Sequence, residues 1–135
     1  MIKLIVGDKG SGKTKQIIDM INESVDKTNG SIVCIEKGMK STYNISSSVR
    51  IIDVDDYAIK GYTMFYAFMM GVLAGDYDIE EVYIDGILKI GNNDVEGLSA
   101  LLDQIAEVSK DSLKVVITVS TDLENLTDGI KKYLS

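Results

Sequence analysis

The sequence contains no histidine, no proline and no tryptophan, one cysteine, and a single arginine, Arg50, among its 14 basic residues. Each scarcity excludes some chemistry. Without histidine there is no imidazole to serve as general base, proton shuttle or metal ligand. Cys34 alone cannot close an intramolecular disulfide or supply the several thiolates of a structural zinc site. No proline marks a linker and no internal repeat is visible, so 135 residues read as one domain, 1–135. Long hydrophobic runs are missing as well. The apolar stretch at Met1–Gly7 is too short for a signal peptide or a membrane span, so an intracellular, cytoplasmic and reducing location is expected. Basic charge is scarce: 14 Lys+Arg stand against 21 Asp+Glu, a formal net charge of −7. That balance argues against coating a nucleic acid, which requires a basic face. It leaves open a small anion held in a local basin of opposite charge.

What is present is the material of a packed core, with 45% hydrophobic and 26% charged residues. Five short, β-branched runs read as strands: Ile2–Val6, Ile32–Glu36, Val49–Val54, Val82–Asp85 and Val115–Ser120. They are apolar on successive positions, the mark of strands covered on both faces. Helical patterns lie between them. Ile17, Ile18, Ile21 and Val25 recur at helix spacing after Thr14 and end at Asn29-Gly30. Val95, Leu98, Leu101, Leu102, Ile105 and Val108 form a second stripe, with Asn93 and Glu96 as its expected capping pair. Tyr62–Leu73 is apolar almost all round and is expected to pack across the sheet or to form an interface in a homo-oligomer, since methionines and aromatics suit both. Leu123, Leu126, Ile130 and Leu134 suggest short helical turns. Glu36 to Val49 has no helical stripe and is expected to be a surface loop, in which Tyr43 is a candidate to stack on a base. The alternation predicts an α/β fold in three layers, a mostly parallel five-stranded sheet with helices on both faces.

The chemistry concentrates in Gly7-Asp8-Lys9-Gly10-Ser11-Gly12-Lys13-Thr14, which satisfies G-x-x-x-x-G-K-[ST] in full between the first strand and the first helix. Glycines let the backbone curl so that successive N–H groups face one concavity, and the helix N-terminus adds free N–H groups and the positive end of its dipole. Lys13 supplies a point charge for outer phosphates, and the Thr14 hydroxyl is a ligand for Mg²⁺. Lys9 and Lys15 add positive charge around it. Asp8 is expected to turn outward, because a carboxylate inside a phosphate loop repels its ligand.

Val82-Tyr83-Ile84-Asp85 is an apolar strand ending in a carboxylate. Parallel sheets bind ligands at the carboxyl ends of their strands, which is where Asp85 is expected to stand. Asp85-Gly86 is also a turn dipeptide, which is the plain alternative. Asp122, after Ser120-Thr121, is expected to cap a helical turn.

On Gly7–Thr14 and Val82–Asp85 the chain resembles the P-loop NTPase superfamily. The extra strand Val49–Val54 is similar to the order of the RecA-like and thymidine-kinase-like branches, and the whole resembles small stand-alone ATP-binding proteins sometimes labelled as twitching-motility type. The resemblance implies ATP and Mg²⁺ as ligands, with Thr14 and Asp85 at the metal. It also implies a catalytic carboxylate at the end of a neighbouring strand, where Asp53, Asp55 and Asp56 stand; Asp55 is the expected water-orienting base beside Lys13. The departures are specific. Gly86 occupies the position where hydrolysing members often carry a glutamate. The zinc cysteines of thymidine kinases, an N-K-x-D stretch for GTP and an arginine-rich lid are absent. Arg50 begins its strand and should lie away from the site, so intrinsic turnover is expected to be slow. The resulting expectation is ATP binding with slow Mg²⁺-dependent hydrolysis. The alternatives are a nucleotide-binding regulatory module without hydrolysis and a small-molecule phosphotransferase.

Overall fold

In the computed structural model, residues 1–38, 44–110 and 112–134 are described; Tyr43 lies outside them. Five strands, β1 (Ile2–Gly7), β2 (Ser31–Glu36), β3 (Arg50–Asp53), β4 (Ile79–Asp85) and β5 (Lys114–Ser120), form one sheet in the order β1-β5-β4-β2-β3. Every pairing is parallel, including β2 with β3. The helices are α1 (Lys13–Val25), α2 (Gly61–Ala74), α3 (Ile87–Ile90), α4 (Val95–Ser109) and α5 (Asp128–Lys131).

The strand order dictates the layering. The step from β1 to β2 crosses β5 and β4 in one direction, while the steps from β3 to β4 and from β4 to β5 run back. Parallel crossovers are right-handed almost without exception. The helix of the outward step must therefore cover one face and the helices of the return steps the other. The packing agrees. Ile17 and Ile21 of α1 join Ile5, Cys34, Tyr83 and Val116 in one apolar cluster. Phe65 and Met69 of α2 and Leu98 and Leu102 of α4 join a larger cluster with Ile35, Ile84 and Ile117. Successive strand residues alternate between the two, as the pleat requires.

Some local expectations are corrected. The cap of α4 is Asp94, whose Oδ1 accepts from Gly97 N at 2.9 Å, and not Asn93; Asn93 is instead in the left-handed region at φ 61°. The first helix stops at Val25, before Asn29-Gly30. The connection after β2 is not wholly superficial: Ile45 and Val49 are buried against α1, and Asn22 holds it there, donating to Asn44 O at 2.7 Å and accepting from Ser46 N at 3.1 Å. Asp122 precedes a 3₁₀ turn at Leu123–Asn125, but its side chain makes no capping bond.

Candidate functional site

The pleat that sorts apolar residues between the faces also builds the site. On the α1 side the strands carry Val116, Tyr83 and Cys34 deep in the layer. Two residues further along each strand, toward the carboxyl end, that face turns polar: Thr118 on β5, Asp85 on β4 and Glu36 on β2. Glu36 and Asp85 are directly paired across β2 and β4. The N-terminus of α1 is joined to this polar patch by a side-chain bond, Thr14 Oγ1 donating to Asp85 Oδ2 at 3.0 Å across a sequence separation of 71.

The loop between β1 and α1 has the conformation its glycines were expected to permit. Gly10 and Gly12 have φ of 84° and 90°, where a side chain would strain the backbone. Gly12 occupies the helix N-cap position without a side-chain cap, and the first turn of α1 carries no acidic residue. The N–H groups and dipole of this helix end are thus left uncompensated by local carboxylates. Lys13 is buried, and its ammonium donates to Asp8 O at 2.8 Å and Ser11 Oγ at 3.3 Å. An ammonium has three donors, so one remains for a ligand.

These groups surround a cleft of about 600 Å³. Lys9, Gly10, Gly12, Lys13 and Thr14 form one wall, and Glu36, Lys37, Asp85, Gly86, Lys89 and Ser120 contribute to the rest. Four lysines therefore border one cleft on a chain of net charge −7. Lys15 points elsewhere, pairing with Asp19 on the exposed face of α1 at 2.9 Å. Asp8 is exposed, as expected. It lies beside Asp122, and the hydrogen bond and charge of Asp8 hold Asp122 above the ordinary aspartate range.

Asp55 is placed differently from the expected water-orienting base. It lies in a 3₁₀ turn, Val54–Tyr57, where it accepts from Lys37 Nζ at 2.6 Å, and it does not line the cleft. Asp53 is occupied as a backbone acceptor, receiving Asp55 N at 2.9 Å and Gly38 N at 3.1 Å. The carboxylate that faces the cleft beside Asp85 is Glu36. Only 3% of it is exposed, and its Oε1 has no hydrogen-bond partner among the described residues. Buried carboxylate oxygens are rarely left unpaired. Glu36 was legible in principle, because Ile32–Glu36 is an apolar run ending in a carboxylate, the same signal that singled out Asp85. Two residues before Glu36, the Cys34 thiol is pushed up to about 12 by burial, with the charges of Glu36 and Asp85 adding to the shift. It is therefore inert as a nucleophile at neutral pH.

Compared with known proteins, the chain matches no family model and no curated protein. Among the described residues no helix is long and apolar enough to cross a membrane.

Proposed function

We propose that this chain binds a nucleoside triphosphate, with ATP as the first candidate, together with Mg²⁺, and hydrolyses it slowly. The observation that carries this reading is the Thr14–Asp85 bond of 3.0 Å, which sets a hydroxyl and a carboxylate side by side at the foot of a glycine loop and a helix N-terminus. Both are hard oxygen donors, which fits Mg²⁺. No group of three or more His, Cys, Asp or Glu is gathered for a metal among the described residues. Mg²⁺ suits such a sparse site, since it is commonly held by one or two protein oxygens, phosphate oxygens and water. When bound, the ion supplies neutralisation of charge on the outer phosphates.

In this reading the loop amides and the free donor of Lys13 bind the phosphates, while Lys9 and Lys89 add positive charge to the walls. Glu36 takes the role of accepting a proton from the attacking water in place of Asp55. Its burial and its unpaired oxygen support that assignment. A binding module without hydrolysis is favoured instead by Gly86, which puts no carboxylate directly after Asp85, and by Arg50, which is exposed at the start of β3 and far from the strand ends that form the cleft. Product formation by the isolated protein in a single turnover separates the two readings. Self-association through Tyr62–Leu73 belongs with these proposals. Phe65 and Met69 are buried, whereas Met64 of the same helix is 47% exposed.

Calorimetric titration of ATP with Mg²⁺ into the wild type and Lys13→Ala tests the binding itself. Loss of a charged hydrogen bond is worth about 1.5–3 kcal/mol, so affinity should fall by roughly 10- to 100-fold. Equal affinity in the two proteins would refute the assignment.

A further inference from the structure

We propose that Thr118 is a positioning residue that holds Asp85 in its metal-binding orientation; the inference rests on the Mg²⁺–triphosphate reading above. Thr118 is the polar exception in Val115–Val119, is fully buried, and sits in mid-strand where an apolar residue would otherwise pack. Its hydroxyl is used twice. It donates to Asp85 Oδ1 at 2.7 Å and accepts from Gly86 N at 2.7 Å. Because the hydroxyl carries one proton, these two bonds fix its direction completely.

The consequence falls on Asp85. Its Oδ1 is pinned from below by Thr118, so the carboxylate can rotate little, and Oδ2 is presented upward to Thr14 at 3.0 Å. Gly86 N is the amide at the N-cap of α3, the short helix that carries Lys89 to the cleft. One buried hydroxyl therefore ties together the metal-side carboxylate and the turn leading to a second wall of the cleft. A purely structural threonine would satisfy one buried group; this one orients a carboxylate that has its other oxygen at the site. Partners that orient ligating carboxylates typically change metal affinity by 10–100-fold when removed.

The test measures binding. ATP is titrated calorimetrically without metal, and Mg²⁺ half-saturation of the ATP complex is then measured, for wild type, Thr118→Val, Thr118→Ser, Asp85→Asn and the Val/Asn double variant. Thr118→Val should raise the Mg²⁺ half-saturation concentration about tenfold, leave metal-free ATP affinity within about twofold, and be rescued by Thr118→Ser. In the Asp85→Asn background, adding Thr118→Val should change half-saturation little, because its effect passes through Asp85. Unchanged half-saturation in Thr118→Val, or effects that multiply independently in the double variant, would overturn the proposal while leaving nucleotide binding intact. Wild type that binds no ATP under either condition would overturn both. Should the valine variant fail to fold, Thr118→Ala replaces it in the same comparison.

Discussion

Glu36 and Asp85 sit side by side at the ends of neighbouring strands, yet their surroundings differ. Asp85 receives hydroxyl bonds on both oxygens, from Thr14 and Thr118, whereas Glu36 has a buried oxygen without a partner among the described residues. A carboxylate so satisfied is a fixed acceptor, and one left partly unsatisfied is suited to taking up a water and its proton. Glu36→Gln is therefore expected to keep ATP affinity within a few-fold and to slow single-turnover hydrolysis by about 10²–10⁴-fold, the usual contribution of a general base. Asp55→Asn, which breaks an exposed ion pair with Lys37 but removes no carboxylate from the cleft lining, is expected to change that rate by less than about threefold, consistent with the small worth of exposed pairs. Quenched-flow measurement of product on both variants checks the contrast, and a larger loss in Asp55→Asn would reverse the assignment. At this scale the sequence was legible in the shape of the loop before α1, where Gly10 and Gly12 take the positive φ that glycine permits. It was ambiguous where the chain offered several carboxylates near one strand end. Asp53 stands in register with Glu36 on the parallel strand β3, but its Oδ1 is taken by two backbone amides, and Asp55 is paired with Lys37; neither set of partners is visible before the chain is folded.

At the scale of the elements, the five strands and the long helices were legible because their apolar patterns are sustained. The ends of those elements were less so, since they depend on single side-chain bonds. The α4 cap shows this: Asn93, Asp94 and Glu96 are all plausible capping residues, and the cap falls on Asp94 because its neighbour Gly97 leaves room for the carboxylate, where a Cβ would meet Asp94 Oδ2 at 2.2 Å. Asp94→Ala is expected to destabilise the fold by about 1 kcal/mol, as read from chemical denaturation. A second element-scale device lies at the opposite end of the sheet from the cleft. Burial raises the Glu81 carboxyl, but the hydroxyls of Tyr83, Thr28 and Ser24 and the nearby Lys114 outweigh it and hold Glu81 below the ordinary glutamate range. The Tyr83 hydroxyl is in turn raised by burial and by Glu81. A carboxyl depressed in the folded state contributes stability that is complete above its unfolded value, about pH 4.3, and is lost as pH falls through the folded value. Glu81→Gln should therefore flatten the loss of stability below about pH 4.5, which denaturation midpoints across pH would show; an unchanged acid slope would remove Glu81 from this role.

For the whole molecule, the alternation of strand and helix was enough to read an α/β fold. The parallel setting of β3 and the order β1-β5-β4-β2-β3 were not in the pattern. Order is set by which strand edges meet in the assembled chain, and the placement of α1 opposite α2 and α4 follows from it. That order places β5 between the glycine-loop strand and the Asp85 strand, so Thr118 can reach Asp85. The same assembly leaves α2 half covered: Phe65 and Met69 enter the core, Phe68 is partly buried against it with its ring 5.4 Å from that of Tyr57, and Met64 and Tyr57 are exposed. The central claim for the molecule is that the backbone at Gly10–Thr14 receives phosphate oxygens. The most direct measurement is the amide spectrum of isotopically labelled protein during titration with ATP and Mg²⁺. Binding at this loop predicts large, saturable shifts for Gly10–Thr14, accompanied by Asp85, Gly86 and Thr118. Saturating ATP that leaves the Gly10–Thr14 amides unmoved would contradict it.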